Sequence, residues 1–214
     1  MFFARTPGYV IDIPTDYHDL DSVVSMSSTT FGETNVDLGV LRDAYRRNPY
    51  SHICLKDTDD NLCGFLDFFL LAPDTFDAFV EGTTEEGLFT SKDILPYEEY
   101  AAQNRIYLGA IVAYNSNSKA ENGRAAQTML YAFARLMLEK YGVAEGHVWQ
   151  GYACGYSPEG VTLLERMGFT RVNDGADRRD KYPLYTKTLN KDDAEALIRT
   201  CERFSQRNCK LTLR

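Results

Sequence analysis

One eight-residue run constrains this chain more than any other feature: Ile106-Tyr107-Leu108-Gly109-Ala110-Ile111-Val112-Ala113 carries no charge and hardly alternates. A strand that is apolar on both sides has to be covered on both faces, which places it inside a sheet with helices above and below. After it, a polar stretch from Tyr114 to Asn122 feeds Gly123 and a segment in which Met129, Leu130, Phe133, Met137 and Leu138 recur at helical spacing until Tyr141-Gly142 ends it. Strand, glycine and helix in that order can present free backbone amides and the positive end of a helix to a pyrophosphate. Inert crossover units share the order, so it does not define a function alone.

The flanking segments extend the pattern. Tyr9-Val10-Ile11-Asp12-Ile13 predicts a short first strand closed by Pro14. A helix follows, capped by Thr15 or Asp16 with Leu20, Val23, Val24 and Phe31 on its apolar side, then a second from Val36 to Arg47, which Asn48-Pro49 stops. Ser51–Lys56 and Leu62–Leu71 read as a hairpin around Asp57-Thr58-Asp59-Asp60-Asn61. Residues 72–105, rich in acids, Pro and Gly, read as an insertion over the sheet with one short helical piece at Phe76–Val80. Further on, His147–Cys154 predicts a strand, Pro158–Met167 a helix, and Gly168 to Val172 the way into another strand, with Tyr182–Leu189 the last. Residues 190–214 carry Ala194, Leu197, Ile198 and Cys201 on one helical face, which either covers the sheet or meets a second copy in a homodimer.

The expectation is one α/β (α+β) domain over residues 1–189, with a mixed, mostly antiparallel sheet of about six to seven strands and helices on both faces. With 44% hydrophobic and 25% charged residues the chain has the composition of a folded globule. The net charge of −8 disfavours nucleic acid and anionic membranes as partners. The opening residues lack a signal-peptide core, and no run approaches the ~18 apolar residues of a membrane span, so a cytoplasmic protein is expected. Five cysteines without a Cys-x-x-Cys and three histidines without ligand spacing suggest neither disulfides nor a metal.

Two segments carry a resemblance. Ala120-Glu121-Asn122-Gly123-Arg124-Ala125 is similar to the Gln/Arg-x-x-Gly-x-Gly/Ala coenzyme A loop of the GCN5-related N-acetyltransferase (GNAT) family, and Ser157 to Phe169, with Leu163, Gly168 and Phe169, resembles that family's Asn-x-x-Ala-x-x-Leu-Tyr-x-x-x-Gly-Phe stretch. The order of elements over residues 9–189 agrees as well. Ala120 departs from the usual Gln or Arg, which would leave a phosphate to Lys119 or Arg124, and Leu164 stands where the family often has a tyrosine acid.

What the resemblance implies is transfer of an acetyl group from acetyl-CoA to the amine of a small molecule or peptide by direct attack, without a covalent enzyme intermediate. It implies a cofactor cleft formed by the main chain of Ile111, Val112 and Ala113, the segment Asn122, Gly123, Arg124, Ala125 and Ala126, and the polar Ser157. The acid would be Tyr156, with Tyr152 as second choice, or water. For a base the candidates are Asp67, Glu98 and Glu99; Asp67, flanked by Phe65, Leu66, Phe68 and Phe69, reads either as a desolvated carboxylate of raised pKa or as a solvated residue on an open sheet face. Cys154 reads as a small buried residue without a basic neighbour, and His147 as a residue at a strand start. The acids of the insertion would favour a cationic acceptor, or serve solubility alone. The alternative from another class is a noncatalytic module or sensor that binds acyl-coenzyme A.

Overall fold

The structure, a computed structural model, describes residues 4–6, 9–12, 17–32, 36–113, 119–208 and 212–213. In chain order the elements are β1 (Ala4–Thr6), β2 (Tyr9–Asp12), α1 (Tyr17–Phe31), α2 (Leu38–Arg47), β3 (His52–Lys56), β4 (Leu62–Phe69), α3 (Pro73–Glu81), β5 (Arg105–Ala113), α4 (Lys119–Lys140), β6 (Trp149–Cys154), α5 (Pro158–Arg166), β7 (Thr170–Asn173), β8 (Leu184–Leu189), α6 (Lys191–Asn208) and β9 (Thr212–Leu213). The strands form one sheet in the order β7-β8-β6-β5-β4-β3-β2-β1-β9. Every neighbouring pair is antiparallel except β5 and β6. β2 to β8 are the expected sheet, and β1 and β9 add two short pieces beyond β2, so Tyr9 does not open the first strand and Leu189 does not close the last.

Local chemistry explains the boundaries. The β3–β4 turn is built by Asp57, whose Oδ1 accepts the amides of Asp59 and Asn61, both at 2.9 Å, while Asp60 takes a left-handed φ of 68°. Asp37 caps α2 through the amides of Gly39 (2.8 Å) and Val40 (3.3 Å). The candidate caps Thr15 and Asp16 lie outside the described residues, as does the loop over 114–118. α4 starts at Lys119, four residues ahead of the glycine expected to open it. Lys, Ala and Glu are all good helix formers, and their propensity carries the helix upstream of Gly123.

Alternation along β4 sorts the core. Leu66 and Phe68 face α4, where the Phe68 and Phe133 rings lie 5.2 Å apart, and α6 packs on the same side through Ala194 and Cys201. Phe65 and Phe69 face the opposite layer, Phe65 against Val23 of α1 and Phe69 in the cluster of Leu41 of α2 with Phe76 and Phe79 of α3. The central strand is therefore covered on both faces, as its composition requires. The insertion holds more structure than the expected single helical piece: α3, two 3-10 turns at Glu86–Leu88 and Tyr97–Ala102, and a β-bridge between Leu71 and Ile94 that closes its neck. No helix of the described residues is long and apolar enough to cross a membrane.

Candidate active site

The two parallel strands do not stay together. β6 follows β5 from Arg105↔Gln150 to Leu108↔Ala153, whereas on its other side β5 remains paired with β4 as far as Gly64↔Ala113. From Gly109 onward one edge of β5 therefore has no strand partner among the described residues, which opens a cleft lined by backbone polar groups. The parting coincides with a bulge: Asp67 pairs with Ala110 and Phe68 with Leu108, leaving Gly109 as the extra residue.

Which amides reach the cleft follows from alternation. The Ala110 N–H donates to Asp67 Oδ1 of β4 at 2.6 Å, and the Val112 carbonyl oxygen lies 2.5 Å from where a Cβ on Gly64 of β4 would be, so both residues turn their polar groups toward β4. Ile111 and Ala113, one step out of phase, turn theirs to the open edge. Of the three main-chain positions expected to line the cofactor cleft, Val112 is thus misassigned. Its polar groups belong to the β4 ladder, and its side chain packs with Val23, Cys54 and Phe65.

Beside the mouth of this cleft the insertion delivers a carboxylate. Glu86 Oε2 accepts hydrogen bonds from Tyr107 Oη of β5 at 2.5 Å and from Tyr156 Oη, just past the end of β6, at 3.3 Å, and the two hydroxyls are 3.2 Å apart. The residue as a whole is partly buried, its carboxylate end being the enclosed part. Burial pushes the Glu86 carboxyl up to about 7, the Asp180 charge adds to the rise, and the two tyrosine donors oppose it. Burial, with the Glu86 charge second, holds both tyrosine hydroxyls well above their usual range, so they remain proton donors. Tyr156 also stacks with Tyr182 (centroids 4.6 Å) and Phe31 at the end of α1 (5.6 Å).

Beneath the cluster Arg178, 2% exposed, joins three elements. It donates to Asp180 at 2.6 and 3.0 Å, to the Phe79 carbonyl at the end of α3 at 2.7 Å, and to Cys154 Sγ of β6 at 3.6 Å. Cys154 thus has the basic neighbour that its sequence context did not reveal. Burial nevertheless raises its thiol pKa far above the ordinary value, which leaves it inert as a nucleophile.

The other expected residues separate into two groups. Asp67 is 5% exposed, and burial, followed by the Glu86 charge, raises its pKa well above the usual carboxylate range; the open-face alternative is excluded. Ser157 Oγ accepts the Gly160 N–H at 3.0 Å as the cap of α5, which leaves its proton and a second lone pair to offer a ligand. Glu98 and Glu99 are corrected: they are exposed on a 3-10 turn whose Tyr97 and Tyr100 pack on Tyr141, away from the cluster. Tyr152 packs edge-on against Phe76 at 5.2 Å. His147 hydrogen-bonds the Gln103 carbonyl at 2.7 Å.

The first turn of α4 is formed by Lys119, Ala120 and Glu121. Asn122, Gly123, Arg124, Ala125 and Ala126 lie inside the helix, so the glycine is no loop residue. Ala125 is fully buried in the core, and Arg124 is exposed and paired with Glu121 at 3.6 Å. The Lys119 side chain is outside the described part.

Sequence reasoning missed Glu86, Tyr107 and the Arg178–Asp180 pair as parts of a site. Glu86 is one of many acids in the insertion, and in the sequence Tyr107 is one residue of an apolar strand.

No family model matches the sequence, and no curated protein does. Solved structures do. The chain is similar to Ard1 from Thermoplasma volcanium (TM-score 0.55, 12% identity, 85% of this chain and 97% of that one) and to a chain of the NatC complex bound to Gag peptide and CoA (0.56, 12%, 86% and 98%). It is similar also to a GCN5-related N-acetyltransferase from Brucella melitensis (0.53, 11%, 96% and 85%). The fold is that of the GNAT acetyltransferases. At these identities the likeness is one of fold.

Proposed function

We propose that the chain is an N-acetyltransferase that uses acetyl-coenzyme A and a primary amine, with Glu86 as general base and Tyr156 as general acid. The observation that carries this reading is the Glu86–Tyr107–Tyr156 cluster at the mouth of the cleft where β5 and β6 part. The free edge of β5 suits an extended pantetheine, since Ile111 and Ala113 offer backbone donors and acceptors, and the positive N-terminal end of the α4 dipole suits its pyrophosphate. When bound, acetyl-coenzyme A supplies the acetyl group activated as a thioester.

The protein's part is proton management and charge stabilisation. A carboxyl whose pKa is pushed up to about 7 can take a proton from the neutral amine as it forms the new C–N bond. The Ile111 N–H is the amide available to the charge that develops on the acyl oxygen. Tyr156 gives its proton to the departing thiolate as the C–S bond breaks. Glu86, hydrogen-bonded to Tyr156, then returns the proton it took, so the cycle closes without a net gain or loss.

Acids around the site favour a cationic acceptor, on a peptide or a small molecule. Two structural neighbours fit that range, the NatC complex bound to Gag peptide and CoA, and the spermidine/spermine N-acetyltransferase SpeG from Vibrio cholerae at a TM-score of 0.50. The test is calorimetric titration with acetyl-coenzyme A, followed by thiol release against a panel of amines. Binding with amine-dependent release supports the enzyme. Binding with no release from any amine points to a noncatalytic acyl-coenzyme A module, and no binding removes the proposal.

A further inference from the structure

We propose that Asp67 is a positioning residue: its carboxyl oxygen replaces a main-chain acceptor at the β5 bulge and thereby fixes which amides of β5 face the cleft. A bulge interrupts the ladder, and a buried N–H left beside it without a partner is costly. Here that N–H belongs to Ala110, and Asp67 Oδ1, from the neighbouring strand, receives it at 2.6 Å.

Gly109 completes the device. A Cβ at Gly109 would lie 2.5 Å from Asp67 Oδ1 and 3.0 Å from the Phe69 ring, so the carboxyl fills the space that any other side chain would need. The glycine and the aspartate are matched to each other, and together they hold Ala110 toward β4 and leave Ile111 facing outward. A general base must instead offer its lone pairs to substrate, and the oxygen of Asp67 that the structure places is already engaged in the seam between β4 and β5. Burial beside Glu86 favours the neutral acid, and the bond survives protonation because the carbonyl oxygen of the neutral acid still accepts the N–H.

The value of the device for catalysis rests on the acetyltransferase reading, while its effect on β5 does not, and the experiment separates the two. Amide hydrogen exchange at Ala110, followed by NMR, is compared in the wild type, D67N, D67A and G109A, together with calorimetric affinity for acetyl-coenzyme A and the pH profile of turnover. D67A and G109A are expected to expose the Ala110 amide to exchange and to weaken acetyl-coenzyme A binding by about tenfold, the equivalent of one buried hydrogen bond. D67N, which keeps an acceptor oxygen, restores most of both, and every variant retains the rise of turnover with pH.

Unchanged protection of Ala110 in D67A and G109A overturns the proposal. So does a D67N variant as impaired as D67A that has lost the pH-dependent rise, since that behaviour belongs to a base. A wild type that fails to bind acetyl-coenzyme A defeats the functional reading, and exchange at Ala110 then decides the structural one. If D67A does not fold, G109A and D67N carry the test.

Discussion

Replacing Glu86 by glutamine should make the protein more stable at alkaline pH and much less active. The wild-type carboxyl titrates near 7 in the fold, against 4.5 for a free glutamate, so the folded state binds the proton more tightly than the unfolded one. Its contribution is therefore fully present below pH ~4.5, declines between there and ~7, and is lost above. The interval corresponds to on the order of 3 kcal/mol at most, since part of the residue still touches water. Gln has no such titration, and its Oε1 can still accept from Tyr107 and Tyr156. Urea unfolding at pH 5 and pH 8 should show the wild type losing stability relative to E86Q across that interval. In initial-rate assays the wild type should gain about tenfold in turnover between pH 6 and pH 8, as a base of pKa near 7 ionises, whereas E86Q should lose that rise and about 10²–10⁴-fold in rate. Parallel stability curves for the two proteins, or an intact pH rise in E86Q, would refute the assignment of the base.

Three further substitutions probe the neighbouring parts. Y156F removes the hydroxyl proposed to protonate the thiolate, and turnover should fall about 10²-fold or more with little change in acetyl-coenzyme A affinity; wild-type turnover would exclude Tyr156 as the acid. R178A leaves the buried Asp180 carboxylate without its partner, and the denaturation midpoint should report a loss of about 3–5 kcal/mol. G123A should raise the thermal midpoint, by about 0.5–1 kcal/mol of stability, because Gly123 is inside α4 and a Cβ there meets nothing within 4 Å. A destabilised G123A would show that the helix begins after this residue.

Most of the scaffold could be read from the chain because its signals are local. Ile106–Ala113 declares a covered strand by composition, Asp57–Asn61 declares a turn by its short polar side chains, and the amphipathic stripe from Met129 to Leu138 declares a helix. The start of α4 could not, because Lys119-Ala120-Glu121 is compatible with loop or helix, and the glycine was the more conspicuous mark. Of the residues in the proposed site, the sequence draws attention to those at strand ends, Tyr156 and the run Ile111 to Ala113. Glu86 was not, because nothing local distinguishes it from Glu85 beside it; only the contact with Tyr107, brought close by the insertion folding back, selects one of the two. The apolar flanks of Asp67 signal its burial in the sequence, whereas its hydrogen bond to Ala110 across the sheet leaves no local mark.

The closed neck of the insertion bears on how such a protein can change. The segment leaves the sheet at Leu71 and returns at Ile94, where the Ala72 amide donates to the Asp93 carbonyl (2.8 Å) and the Leu95 amide to the Leu70 carbonyl (2.7 Å). Because its ends are already held together, lengthening or shortening what lies between them changes the closure entropy by only ~0.6 kcal/mol per doubling of length. Phe76, Phe79 and Phe89 anchor the excursion in the core, so what can vary at this low cost is the length of the stretches between those anchors. Glu86 sits in one of them, between Phe79 and Phe89, which makes that stretch the place where an engineer could alter the surroundings of the carboxylate while leaving the β5 edge and the α4 terminus unaltered.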